Sequence, residues 1–219
     1  MKNANSPLFV GISDADRKKL YNCLFAREVK FDAGAEICSY NSENGVLGMI
    51  SQGKGEIRKI DRNGNSTILE QLNKFSVFSD LFAYTATDAN FIGVYATEPT
   101  TVTFFDYGAV FKRCKNACSY HSIFVSNLVN IVITKSKLLS QRVEILSNKT
   151  IRDKILSYVS ITVKTLGTPS FDLPMSLTQF AEYLCVDRSA MMRELKKLNE
   201  QGILKVNKRN FNVLSKEYI

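Results

Sequence analysis

The chain has 219 residues, 45% of them hydrophobic, and a formal charge of +8. That size and apolar content support a real core in one domain or two, and exclude a disordered or collagen-like chain. There is no run of about 18 apolar residues to span a bilayer, and Met1 to Pro7 lack the apolar stretch of a secretory signal, so a cytoplasmic protein with no membrane partner is expected.

The first expected element is a helix over 13–25, capped by Ser13. Short β-type runs follow between about Arg27 and Asp106: Val29–Phe31, Val46–Ile50, Glu56–Ile60, Thr67–Leu69 and Thr101–Phe105, separated by Gly, Asn and Asp. Many short strands with regular turns indicate a sandwich or barrel. Within them Asn63-Gly64 is a hairpin signal, because both residues tolerate the positive φ of a tight turn.

From about Ser119 to Leu146 the pattern changes to one long helix without Gly or Pro. Apolar residues recur at seven in two neighbouring columns, Phe124, Ile131, Leu138 and Ile145, and Val125, Val132, Leu139 and Leu146, with Lys135 and Arg142 interrupting the seam. Two adjacent apolar columns cannot both face water, so one column is expected to pack on the barrel and the other on the same helix of a second copy. Asn148 reads as the hinge, followed by a helix over 151–164 and a loop over 167–170.

Ser176 to Leu195 then encodes two short helices joined by a tight turn. Leu177, Phe180, Ala181 and Leu184 share one face, and Met191, Leu195 and Leu198 share another after a break at Cys185-Val186-Asp187. Ser176 with Gln179 has the spacing of a capping box, and Asp187 can cap the second helix. Arg188, Ser189, Met192, Arg193 and Lys196 fall off the apolar face, forming a basic, hydrogen-bonding surface of the width that enters a major groove. After it, Gln201 to Leu214 alternates apolar and polar residues about a turn, which reads as a β-hairpin wing with Lys208 and Arg209 at its tip, placed to touch phosphate. From Lys149 onward the chain has twelve Lys and Arg against seven Asp and Glu, a basic third suited to a polyanion.

The five cysteines, Cys23, Cys38, Cys114, Cys118 and Cys185, are odd in number and contain no CxxC pair, so reduced, buried thiols are expected, with no disulfide framework and no metal. The single histidine, His121, reads as an interfacial or capping residue rather than a ligand. A barrel oxygenase would need two or three histidines with a carboxylate, so no enzyme and no cofactor are expected.

Barrel, long helix and winged helix-turn-helix, in that order, resemble the family of the cyclic-AMP receptor protein and the fumarate and nitrate reductase regulator (CRP/FNR). Lys30 to Ile37 resembles the family's early glycine-centred turn, Met49 to Arg58 its ILSGxVxVxR strand pair, and Asp187 to Arg193 its recognition helix, usually Ser-Arg-Glu-Thr-Val-x-Arg. The resemblance implies an α+β chain: a cyclic-nucleotide-binding-like β-barrel (double-stranded β-helix) over 1–118, a dimerisation helix and hinge over 119–148, and a winged helix-turn-helix over 149–219. It implies a homodimeric transcription regulator of double-stranded DNA, on a pseudo-palindromic operator, with RNA polymerase as a further partner of an activator. It puts Arg188 and Arg193 on base- or phosphate-contacting positions.

Departures from the family pattern alter the expectation. Ser189 stands where many members have a glutamate, so the preferred operator need not be the common one. Cys185 replaces a turn glycine, which implies either a strained backbone or a slightly different turn, at a cost of about 1 kcal/mol. The cyclic-nucleotide phosphate clamp is missing from Val77 to Phe82 and Asn90 to Val94. A buried phosphodiester without a guanidinium would lack its charge-assisted partner, so the expected effector is a small molecule other than cyclic AMP, with Asp80, Asn90 and Phe91 as its contacts. A redox-responsive or effector-independent regulator of the same fold, and a non-DNA-binding adaptor, are the alternatives. Cys114 and Cys118, one helical turn apart, would be the redox pair.

Overall fold

The computed structural model describes residues 5–40, 45–61, 64, 66–79, 92–112 and 118–215. The chain divides into two compact units, Met1–Ile133 and Thr134–Ile219, with the boundary inside the long helix.

In the N-terminal unit, helix α1 (Asp14–Cys23) starts where Ser13 accepts the Asp16 N–H and donates to its carboxylate at 2.8 Å. That bond, with Lys19 beside it, holds the Asp16 carboxyl below its usual range. The helix ends two residues earlier than the sequence suggested, and Phe25 turns the chain with φ 46°. Eight strands follow: β1 (Arg27–Phe31), β2 (Glu36–Ser39), β3 (Leu47–Gln52), β4 (Gly55–Ile60), β5 (Ser66–Leu72), β6 (Val77–Ser79), β7 (Ile92–Ala96) and β8 (Thr100–Phe105). They form two antiparallel sheets, ordered β1-β8-β3-β6 and β2-β7-β4-β5. Pairing 1 with 8, 2 with 7, 3 with 6 and 4 with 5 is the jelly-roll arrangement of a double-stranded β-helix.

Two glycines show why the expected turns form. Gly34 (φ +85°) donates to the Ala96 carbonyl at 2.8 Å, tying the turn before β2 to the end of β7. Gly53 (φ +85°) joins β3 to β4 where a Cβ would lie 2.5 Å from the Pro99 carbonyl, so both conformation and space demand glycine. Strands β2, β6 and β7 escaped the sequence reading: β6 has three residues, and β7 is broken in pattern by Gly93.

The period of two divides the side chains of the first sheet. Ile50, Phe78, Val102 and Phe104 point between the sheets, where Ile37, Ile57, Leu72, Ile92 and Val94 of the second sheet meet them. Their neighbours Leu47, Met49, Val77 and Phe105 point the other way, into a core shared with Leu8, Phe9, Leu20, Leu24, Phe124 and Leu128. Phe124 belongs to α3 (Ser119–Ser147), preceded by α2 (Tyr107–Phe111). His121 is buried there, and its Nε2 donates to the Val110 carbonyl at 3.0 Å. It therefore lies between α2 and α3, bonded to a carbonyl in the last turn of α2.

The heptad reading of α3 needs correction. Phe124 and Ile145 of the first column are buried, each in a different unit, but Leu138 between them is 60% exposed. The large apolar side chains left exposed run through Val129, Val132, Leu139 and Val143, at spacings of three, seven and four, with Ile133 and Leu138 beside them. By length and composition α3 is also apolar enough to cross a membrane.

In the C-terminal unit, α4 (Ile151–Leu166) is capped by Thr150, which accepts the Asp153 N–H at 3.1 Å, and ends at Gly167. Strand β9 (Ser170–Asp172), α5 (Leu177–Tyr183), α6 (Arg188–Glu200), β10 (Leu204–Asn207) and β11 (Asn210–Val213) complete it. One core joins Ile145, Ile155, Val159, Phe180, Ala181, Met191, Leu195 and Phe211. Tyr158 packs edge-on against Phe180 (ring centroids 4.8 Å) and Tyr183 (5.7 Å). Burial raises the hydroxyl pKa of both tyrosines above the usual 10.0. A raised folded pKa contributes stability that is complete below pH 10 and lost as pH rises through the folded value. Alkaline titration of this unit is thus expected to show a fall in stability beginning near pH 10, with a shallower fall in Tyr158→Phe; identical slopes in both proteins would refute the assignment.

Candidate nucleic-acid interface

The two short helices are set by their caps. Ser176 accepts the Gln179 N–H at 3.2 Å while the Gln179 side chain accepts the Ser176 N–H at 2.9 Å, the reciprocal box the spacing indicated. Asp187 accepts the Ala190 N–H at 2.8 Å and starts α6 at Arg188. Ala181 is buried at the crossing of the helices, beside Met191 and Leu195.

Between the helices Cys185 has φ 52°, the left-handed conformation that a glycine would adopt without strain. Its side chain is exposed, so the strain is not offset by packing. Cys185→Gly is expected to raise the stability of this unit by about 0.5 kcal/mol, strain relief of about 1 kcal/mol being partly offset by a more flexible unfolded chain. Chemical denaturation checks it, and a destabilised variant would show the turn is unstrained. The expectation of buried thiols also needs correction: Cys185 is exposed, Cys23, Cys38 and Cys118 are half-buried, and Cys114 lies outside the described residues.

With Met191, Leu195 and Leu198 buried, α6 presents Arg188, Ser189, Met192, Arg193 and Lys196 outward, all exposed. Thirteen residues make a rod about 20 Å long, enough to lie across a major groove. Lys196 pairs with Glu200 at 3.8 Å, and Lys197 with Glu194 at 3.3 Å. Arg188 and Arg193 have no carboxylate within ion-pair distance among the described residues, so their charge is uncompensated.

Register Asn207↔Asn210 makes Lys208 and Arg209 the two loop residues of the wing, both exposed and likewise without an ion pair among the described residues. β9 joins as a third strand, Phe211 opposite Phe171, and Asn210 donates to the Asp172 carboxylate at 3.0 Å. From sequence Ser170 falls in a loop and the preceding helix ends at Lys164, whereas the helix runs to Leu166 and Ser170 opens β9; a three-residue strand beside Pro169 has no periodicity to announce it.

Three positioning residues were also missed. Lys154 of α4 donates to the Leu184 carbonyl at 3.2 Å, closing the end of α5. Arg152 reaches Glu194 of α6 at 3.4 Å. Arg142 of α3, read from sequence as a break in an apolar seam, sits over the Tyr183 ring at 5.1 Å. Only the folding of α4 and α3 against α5 and α6 gives these cations their partners. Asp80, Asn90 and Phe91, the expected effector contacts, lie outside the described residues. Among the described residues no group of three His, Cys, Asp or Glu side chains could hold a metal ion.

No protein-family model and no curated protein matches this sequence. Solved structures do match in fold along nearly the whole chain. A variant of CprK complexed with OCPA superimposes with TM-score 0.68 at 19% identity, covering 91% of both chains. The chain has the fold of the CRP/FNR regulators. Within that fold, a CooA variant from Carboxydothermus hydrogenoformans matches with TM-score 0.60 at 18% identity, over 95% of this chain and 96% of that one. The catabolite activator protein of Thermus thermophilus matches with TM-score 0.53 at 16% identity, over 95% and 93%. The same CRP/FNR order of barrel, long helix and winged helix-turn-helix is what the motifs in the sequence implied.

Proposed function

We propose that this chain is a sequence-specific, DNA-binding transcription regulator of the CRP/FNR type, acting as a homodimer and controlled by a small molecule other than cyclic AMP. In this reading residues 1–118 are the effector barrel, 119–148 the dimerisation helix and hinge, and 149–219 the DNA-binding domain. The observation that carries it is α6: a capped helix whose exposed Arg188 and Arg193 have no ion pair among the described residues, backed by a wing whose tip is Lys208-Arg209. Arginine there can donate two bonds to a guanine edge, while the wing cations anchor register on phosphate.

The dimer reading draws support from the exposed Val129, Val132, Leu139 and Val143 of α3. Pairing with a second α3 would remove that seam from water. Insertion into a bilayer is disfavoured, because His121, Phe124 and Leu128 of the same helix are buried in a globular core. Two dimer-related α6 helices would then enter major grooves about one helical turn apart. The effector reading draws support from CprK, a protein of this fold complexed with OCPA. The hydrophobic cluster between the two sheets includes Tyr40, Phe78 and Phe104, with Phe31 packed against it, surroundings that suit an apolar ligand better than a phosphodiester. Arg142 over Tyr183 and Ile145 in the C-terminal core supply a route by which a shift of α3 would reach α5 and α6.

The test is selection of bound duplexes from a random library by the full chain, with and without the small-molecule fraction of a cell extract, at near-physiological salt. Enrichment of a two-fold symmetric motif in either condition supports the reading. No enrichment in both conditions overturns it.

A further inference from the structure

Resting on the DNA-reading role proposed for α6, we infer that Met192 is a specificity-determining residue and that it selects thymine through the C5-methyl group. The buried stripe of α6 is Met191, Leu195 and Leu198, and Met192 stands one position off it, 39% exposed. It is the one large apolar side chain on α6 that is left in water. A single exposed methionine elsewhere on a surface needs no explanation. This one lies in the second turn of the helix, with Arg188 and Ser189 one turn before it and Lys196 one turn after, all exposed. From that part of a groove-bound helix side chains reach base edges rather than solvent.

The chemistry then narrows to one base. A thioether offers only a weak acceptor. Pressed against guanine O6, adenine N6 or cytosine N4 it would strip water from a strong hydrogen-bonding group and return nothing. The thymine methyl is the apolar feature in the major-groove code, and its burial against sulfur and methylene gains free energy without leaving a polar group unpaired. An unbranched, soft side chain adapts its rotamers to reach it. Ser189 is short, so it leaves the space in front of Met192 open, where the glutamate of the usual motif would extend. Arg188 and Met192 are one turn apart, about 5.4 to 6 Å along the helix, and base pairs rise about 3.4 Å per step. The thymine therefore lies one or two base pairs from the pair that Arg188 addresses.

The test starts from the motif selected above and replaces each thymine, one at a time, by deoxyuridine, which removes only the methyl group. At one thymine of each half-site the substitution is expected to weaken binding by the wild-type chain about fourfold, and about fifteenfold when made in both half-sites. Met192→Ala should bind the thymine and uracil duplexes equally, and Met192→Leu, still apolar, should keep part of the discrimination. Because Met192 is exposed, neither variant should change the denaturation midpoint. A motif whose uracil versions all bind as well as the parent, or discriminate equally in Met192→Ala, overturns the assignment while leaving the regulator reading intact. A library that yields no motif at all overturns both.

Discussion

Replacing Phe180 by alanine is expected to destabilise the C-terminal unit by about 3 to 5 kcal/mol, most of the stability of a domain this size. Phe180 is fully buried on α5 and touches Tyr158 of α4 edge-on at 4.8 Å and Phe211 of β11 at 5.9 Å between centroids. Phe211 in turn stacks on Phe171 of β9 at 5.6 Å. One ring thus joins the first helix of the helix-turn-helix, its supporting helix and the wing. Removing it leaves a cavity bordered by the rings of Tyr158 and Phe211, neither of which can move in without abandoning its own partners. The N-terminal unit has separate cores between and behind its sheets, so its unfolding transition should persist unchanged. Denaturant titration followed by circular dichroism would show a biphasic curve in the variant. A loss below about 1 kcal/mol would mean that the site collapses around the deletion and that Phe180 is not the keystone the geometry indicates.

Arg188→Ala is expected to weaken operator binding by about 1 to 3 kcal/mol per half-site and to relax base choice at the position it addresses. The residue starts α6, is exposed, and has no competing carboxylate among the described residues, so under the proposed function its guanidinium would meet the groove without first breaking an ion pair. Lys208→Ala offers the contrast. A phosphate contact at the wing tip should weaken operator and scrambled duplex alike and reduce the salt dependence by about one counterion. Both variants should fold normally, since neither side chain is buried. Equal loss on operator and scrambled DNA for Arg188→Ala would convert that arginine from a base reader to a backbone contact. No loss on either would remove it from the interface.

Local chemistry made much of this legible before any fold was known. The Ser176–Gln179 box, the Asp187 cap and the alternation of buried and exposed residues on α6 are short-range effects, set by spacing along one helix. So was the hairpin between β4 and β5, whereas at Cys185 the sequence left a strained backbone and a different turn both open, and the structure shows the left-handed one. Where the sequence reading erred, the missing term was long-range. β2, β6 and β9 are too short for a period to appear, and they exist because β7, β3 and β11 supply hydrogen-bond partners distant in sequence.

Helix α3 marks the boundary between the two kinds of information. Its length and apolar recurrence were plain in the residues, but which apolar positions would be covered was not, since Leu138 lies in the same column as buried Phe124 and Ile145 and is exposed. Burial belongs to what surrounds a position, not to the position's identity. Likewise Arg142 reads from sequence only as a break in an apolar seam, and nothing local singles out Arg152 or Lys154; folding sets them over Tyr183, Glu194 and the Leu184 carbonyl. By itself the sequence determined the helix pair, its caps and the chemistry displayed on α6, because helix periodicity and capping act within a few residues. Tertiary structure alone decided which side chains are covered and which cations stay uncompensated, because packing and ion pairing depend on partners that the chain brings from far away.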